Sequence, residues 1–192
     1  MYLIFDTETT GLPKNYRAPL SDFDNWPRLV QLAWELYDFD GEKWESVNYI
    51  IKPEGFIIPE EATKIHRISH EQALQEGVPL KEALAHFIQE VNSAEQVVGH
   101  NIEFDENIVG AELLRLQMDN PFLDAKKICT MKQGTMICRI DNGRGGFKWP
   151  NLSELHKTLF AEDFVDAHDA LVDVQACAKC LFELKKRGQL RV

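Results

Sequence analysis

Long apolar runs are missing from this sequence, and no stretch approaches the ~20 residues that a membrane-spanning helix requires. The N-terminus has only Tyr2 to Phe5 as an apolar run before Asp6, with no basic region ahead of it, so a secretory signal is not expected. Cysteine is scarce, four in 192 residues, which excludes a disulfide-built scaffold; reduced thiols in a cytoplasmic protein are the expectation. Glycine (11) and proline (8) are too few and too dispersed for a collagen-like chain or a flexible linker. Positive charge is also short, with 21 Lys and Arg against 31 Asp and Glu, a net charge of −10. Such a balance excludes an affinity for nucleic acid spread over the whole surface, although it leaves room for a local basic patch beside an acidic site. What is present is ordinary for a folded protein: 44% hydrophobic residues and a length that suits one domain, residues 1–192.

The periodicity changes along the chain. Tyr2 to Phe5 reads as a strand buried on both faces, and Leu29 to Tyr37 with Glu45 to Ile51 reads as a hairpin turned at Asp40-Gly41. Two helices are expected after Pro59, one opened by a Ser69-x-x-Gln72 capping box and one carrying Leu80, Leu84, Phe87, Ile88 and Val91 at helical spacing. Gln96 to Gly99 returns to strand, Phe104 to Met118 to helix, and Lys126 to Met131 to strand. Asp141 to Gly146 is a loop, Asn151-Leu152-Ser153-Glu154 a second capping box, and His168 to Lys186 a final helix. Strands first and then alternating helices and strands predict an α/β fold, a mixed sheet flanked by helices.

Three acidic stations stand out. In an extended Asp6-Thr7-Glu8 the two carboxylates share a face at the end of a hydrophobic strand, where ligands of α/β sheets gather. Asp105 falls in the first turn of a helix, where an acid also serves the helix dipole. His168 and Asp173 open the last helix, five positions apart. Singly, each has an ordinary structural reading as a strand end, a helix start or a chance pairing.

Taken together, Phe-Asp-Thr-Glu-Thr-Thr-Gly-Leu at 5–12, His-Asn-x-x-Phe-Asp at 100–105 and His-Asp-Ala-x-x-Asp at 168–173 resemble the three motifs of the DnaQ-like 3′–5′ exonucleases of the DEDDh type. The proofreading epsilon subunit of bacterial DNA polymerase III belongs to that group. The resemblance implies a ribonuclease H-like sheet of about five strands and a metal-dependent nuclease that releases nucleoside 5′-monophosphates from a 3′ end, with DNA favoured. It implies Asp6, Glu8, Asp105 and Asp173 as ligands of two Mg²⁺, replaceable by Mn²⁺, and His168 as general base. Four carboxylates a few ångströms apart repel by roughly 3 kcal/mol per pair at about 5 Å and an effective dielectric near 20, and two hard divalent cations cancel that charge. An imidazole suits the base role because its ordinary pKa lies near about 6.5. By the same resemblance Thr7, Thr9, Thr10, Gly11, Leu12, His100, Asn101 and Phe104 would contact the substrate. The implied partners are single-stranded or frayed 3′ ends of nucleic acid and a DNA polymerase. An RNA-trimming enzyme and a non-catalytic polymerase-associated binding subunit are the alternative readings.

Four further features carry weaker expectations. Lys126 to Lys148 holds six basic residues and one acid, Asp141, which suits either a strand-binding rim or a solvated loop. Trp149, just before a helix, is expected in the core, with a stacking platform as the alternative. Cys177-x-x-Cys180 has zinc half-site spacing but no matching second pair, since Cys129 and Cys138 lie eight apart, so small buried residues are expected. Pro13 to Trp26 is long for a connection between two strands and is placed to shape substrate access, its role open; separately, the sequence stops soon after the last helix, and this favours an enzyme acting alone.

Overall fold

The computed structural model describes residues 1–162 and 168–190. The chain runs β1 (Tyr2–Thr9), β2 (Leu29–Tyr37), β3 (Lys43–Ile50), α1 (Glu60–His66), α2 (His70–Glu76), α3 (Leu80–Ser93), β4 (Gln96–Gly99), α4 (Ile102–Arg115), β5 (Lys127–Cys129), α5 (Thr130–Cys138), α6 (Leu152–Phe160) and α7 (Ala170–Lys186). The strands form one mixed sheet in the order β3-β2-β1-β4-β5. The first three pair antiparallel, while β4 and β5 add in parallel on the other side of β1. Because β1, β4 and β5 run the same way, their carboxyl ends at Thr9, Gly99 and Cys129 lie along one edge.

Strand alternation then divides the core in two. Leu3 and Phe5 face a cluster containing Leu84 and Phe87 of α3 and Ile108 of α4. Tyr2 and Ile4 face the opposite cluster, with Leu155 of α6 and Val174 and Leu181 of α7. Each fully buried side chain of this size contributes roughly 1.5–3 kcal/mol, so β1 is gripped from both sides before it reaches its polar end.

The β2–β3 hairpin turns at Asp40-Gly41 as expected: the Asp38 carboxylate accepts from the amides of Asp40, Gly41 and Glu42 at 2.8–2.9 Å, and Gly41 supplies a φ of 95°. Elsewhere the structure differs from expectation. Three helices follow Pro59 rather than two, because Arg67 in a left-handed conformation (φ 66°) stops α1 before Ser69 starts α2. Only half of the Ser69 box forms: its hydroxyl accepts from Gln72 N, while the Gln72 amide bonds Glu76 instead. The Asn151 box closes in both directions.

The expected strand at 126–131 is short, and α5 follows it directly. A glycine at its centre obscures that helix, yet Gly134 has a packing reason: a Cβ there would come within 2.7 Å of Leu155 Cδ1 on α6. Trp149 is not core, being 61% exposed. Cys177 and Cys180 are buried inside α7, and none of the four cysteines is in a disulfide.

Candidate functional site

The even positions of β1 continue the Tyr2–Ile4 face toward α7. Asp6 lies opposite Ala33 and Glu8 lies opposite Gln31. Gln31 is 2% exposed, and its side-chain oxygen accepts from Ala170 N at 3.1 Å, which fixes the start of α7 against β2. Asp169 caps that helix by accepting from the amides of Leu171 and Val172. Asp173, one turn on, is thereby brought to the end of β1, and its Oδ2 accepts from the backbone N–H of His168 at 3.0 Å. Ligand atoms of Glu8, His168 and Asp173 all lie within 4.8 Å of one another.

Asp105 arrives from the opposite layer, in the first turn of α4. Its Oδ1 accepts two hydrogen bonds from Thr7, from the backbone N–H at 3.0 Å and from the hydroxyl at 2.6 Å. Thr7 was grouped with the substrate-binding residues on resemblance; here it is buried, faces α4, and holds Asp105 in place.

The electrostatics record how close the four acids are. Burial, followed by the charges of Asp105, Asp173, Glu8 and Asp169, raises the Asp6 carboxyl well above the ordinary range. Glu8 is pushed up to about 8 by burial and then by Asp173, Asp105 and Asp169. Asp105 rises to about 7 through burial, opposed by its bonds from Thr7. Asp173 is also raised, burial again leading, with the His168 N–H acting the other way. Among the described residues no lysine or arginine offsets these charges. A hard-oxygen donor set without a protein counter-charge is what divalent cations of the Mg²⁺ class fit.

A measurable consequence follows for stability. The four carboxyls ionise at higher pH in the folded chain than in the unfolded one, so between about pH 4 and 8 the folded state holds more protons and loses stability as pH rises. In EDTA the melting temperature should therefore fall from pH 5.5 to pH 8. Added Mg²⁺ should raise it by several degrees at pH 8 and much less at pH 5.5, given about 2–4 °C per kcal/mol at this size. A Mg²⁺ effect equal at both pH values would show that the cluster is not where the cation acts.

The remaining residues expected on resemblance divide into two groups. His100 has both ring nitrogens engaged, Nδ1 with Thr130 Oγ1 and Nε2 with Pro150 O, each at 3.0 Å. Burial lowers its pKa to about 4, so the ring is neutral; Nε2 donates to the carbonyl and Nδ1 accepts from the hydroxyl. His100 thus ties the end of β4 to α5 and the segment before α6, and has no nitrogen left for a substrate. Thr9 donates its hydroxyl to Gly11 O at 2.6 Å, and the Thr10 hydroxyl accepts from Arg28 N at 2.9 Å. These bonds shape a turn from which Leu12 projects, 73% exposed. Asn101 begins α4 in a left-handed conformation (φ 67°), and Phe104 is half-buried beside Asp105.

The six cations of 126–148 do not form one rim. Lys127 pairs with Glu106, Lys132 with Glu103 and Lys148 with Glu154, at 2.6–2.9 Å, while Lys126 precedes β5 at the far end of the sheet. Gln31 is a positioning residue outside the motifs, and Asp169, quoted within the third motif, has no role assigned there. A polar residue inside an apolar strand, and an Asp directly before a helix, were the available signals. A second grouping of potential ligands, Glu45, His86 and Glu90, lies toward the opposite end of the sheet from the motifs.

Comparison with known proteins agrees with this arrangement. Exonuclease I of E. coli, solved with a dA16 oligonucleotide, superposes with a TM-score of 0.76 at 19% identity, over 97% of this chain and 41% of that one. Exonuclease I of Methylocaldum szegediense gives 0.71 at 21% identity, over 97% and 40%. Exonuclease X, solved with 5′-overhanging duplex DNA, gives 0.61 at 22% identity, over 98% and 93%. The chain thus spans about two fifths of the exonuclease I chains and nearly all of exonuclease X, and shares with them the ribonuclease H-like fold. No curated protein matches it in sequence. The family described as Exonuclease, RNase_T, matches residues 3–181, so the chain belongs to that exonuclease family, within the DnaQ-like class that its motifs resemble.

Proposed function

We propose that this chain is a DEDDh-type 3′–5′ exonuclease, a single catalytic domain that trims DNA from unpaired 3′ ends and releases nucleoside 5′-monophosphates. The observation that carries this reading is the meeting of Asp6, Glu8, Asp105 and Asp173, from β1, α4 and α7, beside His168. Two divalent cations held by those four carboxylates, Mg²⁺ or Mn²⁺, would supply Lewis-acid activation of water and neutralise charge on the phosphodiester. An imidazole nitrogen of His168 takes the proton of the attacking water. The water oxygen bonds to phosphorus, the bond from phosphorus to the 3′ oxygen of the preceding nucleotide breaks, and that oxygen leaves to take a proton from solvent. Thr7 keeps Asp105 aimed at this point, while Gln31 and Asp169 fix α7 so that Asp173 and His168 keep their distance from Glu8.

The turn at 9–12, with Leu12 exposed, and Phe104 with Asn101 on the other side form the seat for the terminal nucleotide. The oligonucleotide complex of the E. coli neighbour supports DNA as substrate, and four unpaired thiols suit a cytoplasmic setting. The test is an assay with 3′- and 5′-labelled DNA and RNA oligonucleotides in Mg²⁺, Mn²⁺ or EDTA. Stepwise shortening of 5′-labelled DNA, release of labelled mononucleotide from 3′-labelled DNA, slower RNA cleavage and silence in EDTA are expected. Intact strands after prolonged incubation in Mg²⁺ would overturn the proposal.

A further inference from the structure

A second set of donor atoms meets on the other face of the sheet from Asp6 and Glu8. Glu45, Val47 and Tyr49 of the edge strand β3 lie opposite Leu36, Trp34 and Leu32, which face the α3 side of the core, so all three point toward α3. On α3, His86 and Glu90 are four positions apart and project from one side of the helix. His86 Nε2 lies 3.9 Å from Glu45 Oε1 and 3.8 Å from Glu90 Oε1, and ligand atoms of the three residues fall within 4.8 Å of one another.

Those separations suit a shared ion better than a direct pair. Lys127–Glu106, Lys132–Glu103 and Lys148–Glu154 close to 2.6–2.9 Å, whereas His86 stands beyond hydrogen-bond reach of both its acids. A cation bonded to nitrogen and oxygen at about 2.0–2.2 Å in tetrahedral geometry sets its ligands about 3.3–3.6 Å apart, so a small side-chain adjustment completes the fit. Among the described residues no lysine or arginine pairs with Glu45 or Glu90, and the charge of two carboxylates beside a neutral imidazole matches that of one divalent ion.

The surroundings of His86 favour the same reading. Its Nδ1 lies 3.0 Å from the Tyr49 hydroxyl; a proton on Nδ1 donated to that oxygen leaves the Nε2 lone pair to the side where the acids stand, the usual support of a ligating histidine. Behind it, the fully buried Trp34 ring packs on the imidazole with centroids 5.1 Å apart, and the Trp34 indole N–H has no acceptor among the described residues. An unpaired buried donor against the imidazole is a second sign that this corner is built for a hydrated ion rather than for packing alone.

We propose that Glu45, His86 and Glu90 bind one divalent ion of the Zn²⁺ class, which ties the edge strand β3 to α3. The donor set decides the class: an imidazole nitrogen with two carboxylates suits zinc and its transition-metal neighbours, while the all-carboxylate set of Asp6, Glu8, Asp105 and Asp173 suits Mg²⁺. The site does not depend on the cleavage reaction.

The experiment titrates tag-free protein with Zn²⁺ in excess Mg²⁺, counts bound zinc by equilibrium dialysis and records melting curves on the same samples. Wild type should take up one Zn²⁺ against the Mg²⁺, and its melting temperature should rise by roughly 5–10 °C at about a hundred times the Kd. His86→Ala and Glu90→Gln should each weaken the uptake at least about tenfold and lose most of that rise. His168→Ala, altered on the other face of the sheet, should keep both. Each variant is judged by its response to zinc rather than by its starting stability, and Glu45→Gln replaces His86→Ala should the alanine variant not fold. Equal uptake and equal melting shifts in wild type, His86→Ala and Glu90→Gln would overturn the site. Uptake lost in His168→Ala and kept in His86→Ala would place the zinc on the acidic cluster and overturn it equally.

Discussion

Replacing Asp6 by Asn should reduce hydrolysis by at least about 10³-fold while leaving the protein folded, because the substitution keeps shape and removes one charge from the group that all the others press upon. Asp6 is the carboxyl that burial and four separate acids, Asp105, Asp173, Glu8 and Asp169, act on together. Asp105 reaches the cluster from the α4 layer, Glu8 and Asp173 meet on the α7 side, and Asp6 feels all three. If the cluster holds divalent cations as proposed, loss of the Asp6 charge should weaken their binding.

The same reasoning gives an independent sign. Since Asp6 is raised in the folded state, its ionised form opposes folding near pH 8 when no cation is present, and the neutral amide removes that opposition. In EDTA at pH 8 the Asp6→Asn variant should melt above wild type, and its gain from Mg²⁺ should shrink. Single-turnover cleavage, melting curves and a Mg²⁺ titration measure the three effects on one sample. Near-normal turnover by a well-folded variant would contradict the proposed role directly.

The sheet and the site were not equally legible. Period-two patterning placed Asp6 and Glu8 on one face of β1 because strand geometry leaves no other choice, and the Asn151 box located α6 because its signals are local. What failed depended on contacts distant in the chain. Thr7 reads as a substrate contact by resemblance until Asp105, 98 positions away, accepts from its hydroxyl and amide. His100 reads as a substrate ligand until Thr130 and Pro150 occupy its nitrogens. The basic run at 126–148 carries a net positive charge on paper, but Glu103, Glu106 and Glu154 each neutralise one of its lysines from another element. Trp149 reads as core because a tryptophan before a helix usually is, yet its indole is exposed while the carbonyl of the next residue, Pro150, is bonded to His100.

Position also makes His168 the next residue to alter. It stands just before α7 in a left-handed conformation (φ 77°), its backbone N–H given to Asp173 and its ring left exposed toward Glu8. A backbone held by its own neighbour and an exposed ring within reach of Glu8 and Asp173 describe a group placed for chemistry rather than packing. His168→Ala should therefore leave the melting curve almost unchanged and reduce the cleavage rate by roughly 10²–10⁴-fold, the usual loss for a missing general base. Because hydroxide can replace the absent imidazole, the residual rate should climb with pH beyond the point where wild type levels off. Deprotonation by His168 makes that behaviour necessary: removing the group that extracts the proton leaves solvent base as the remaining route. A variant whose rate profile parallels that of wild type at every pH, merely lowered, would assign the proton to another acceptor and reduce His168 to a contact that orders Asp173.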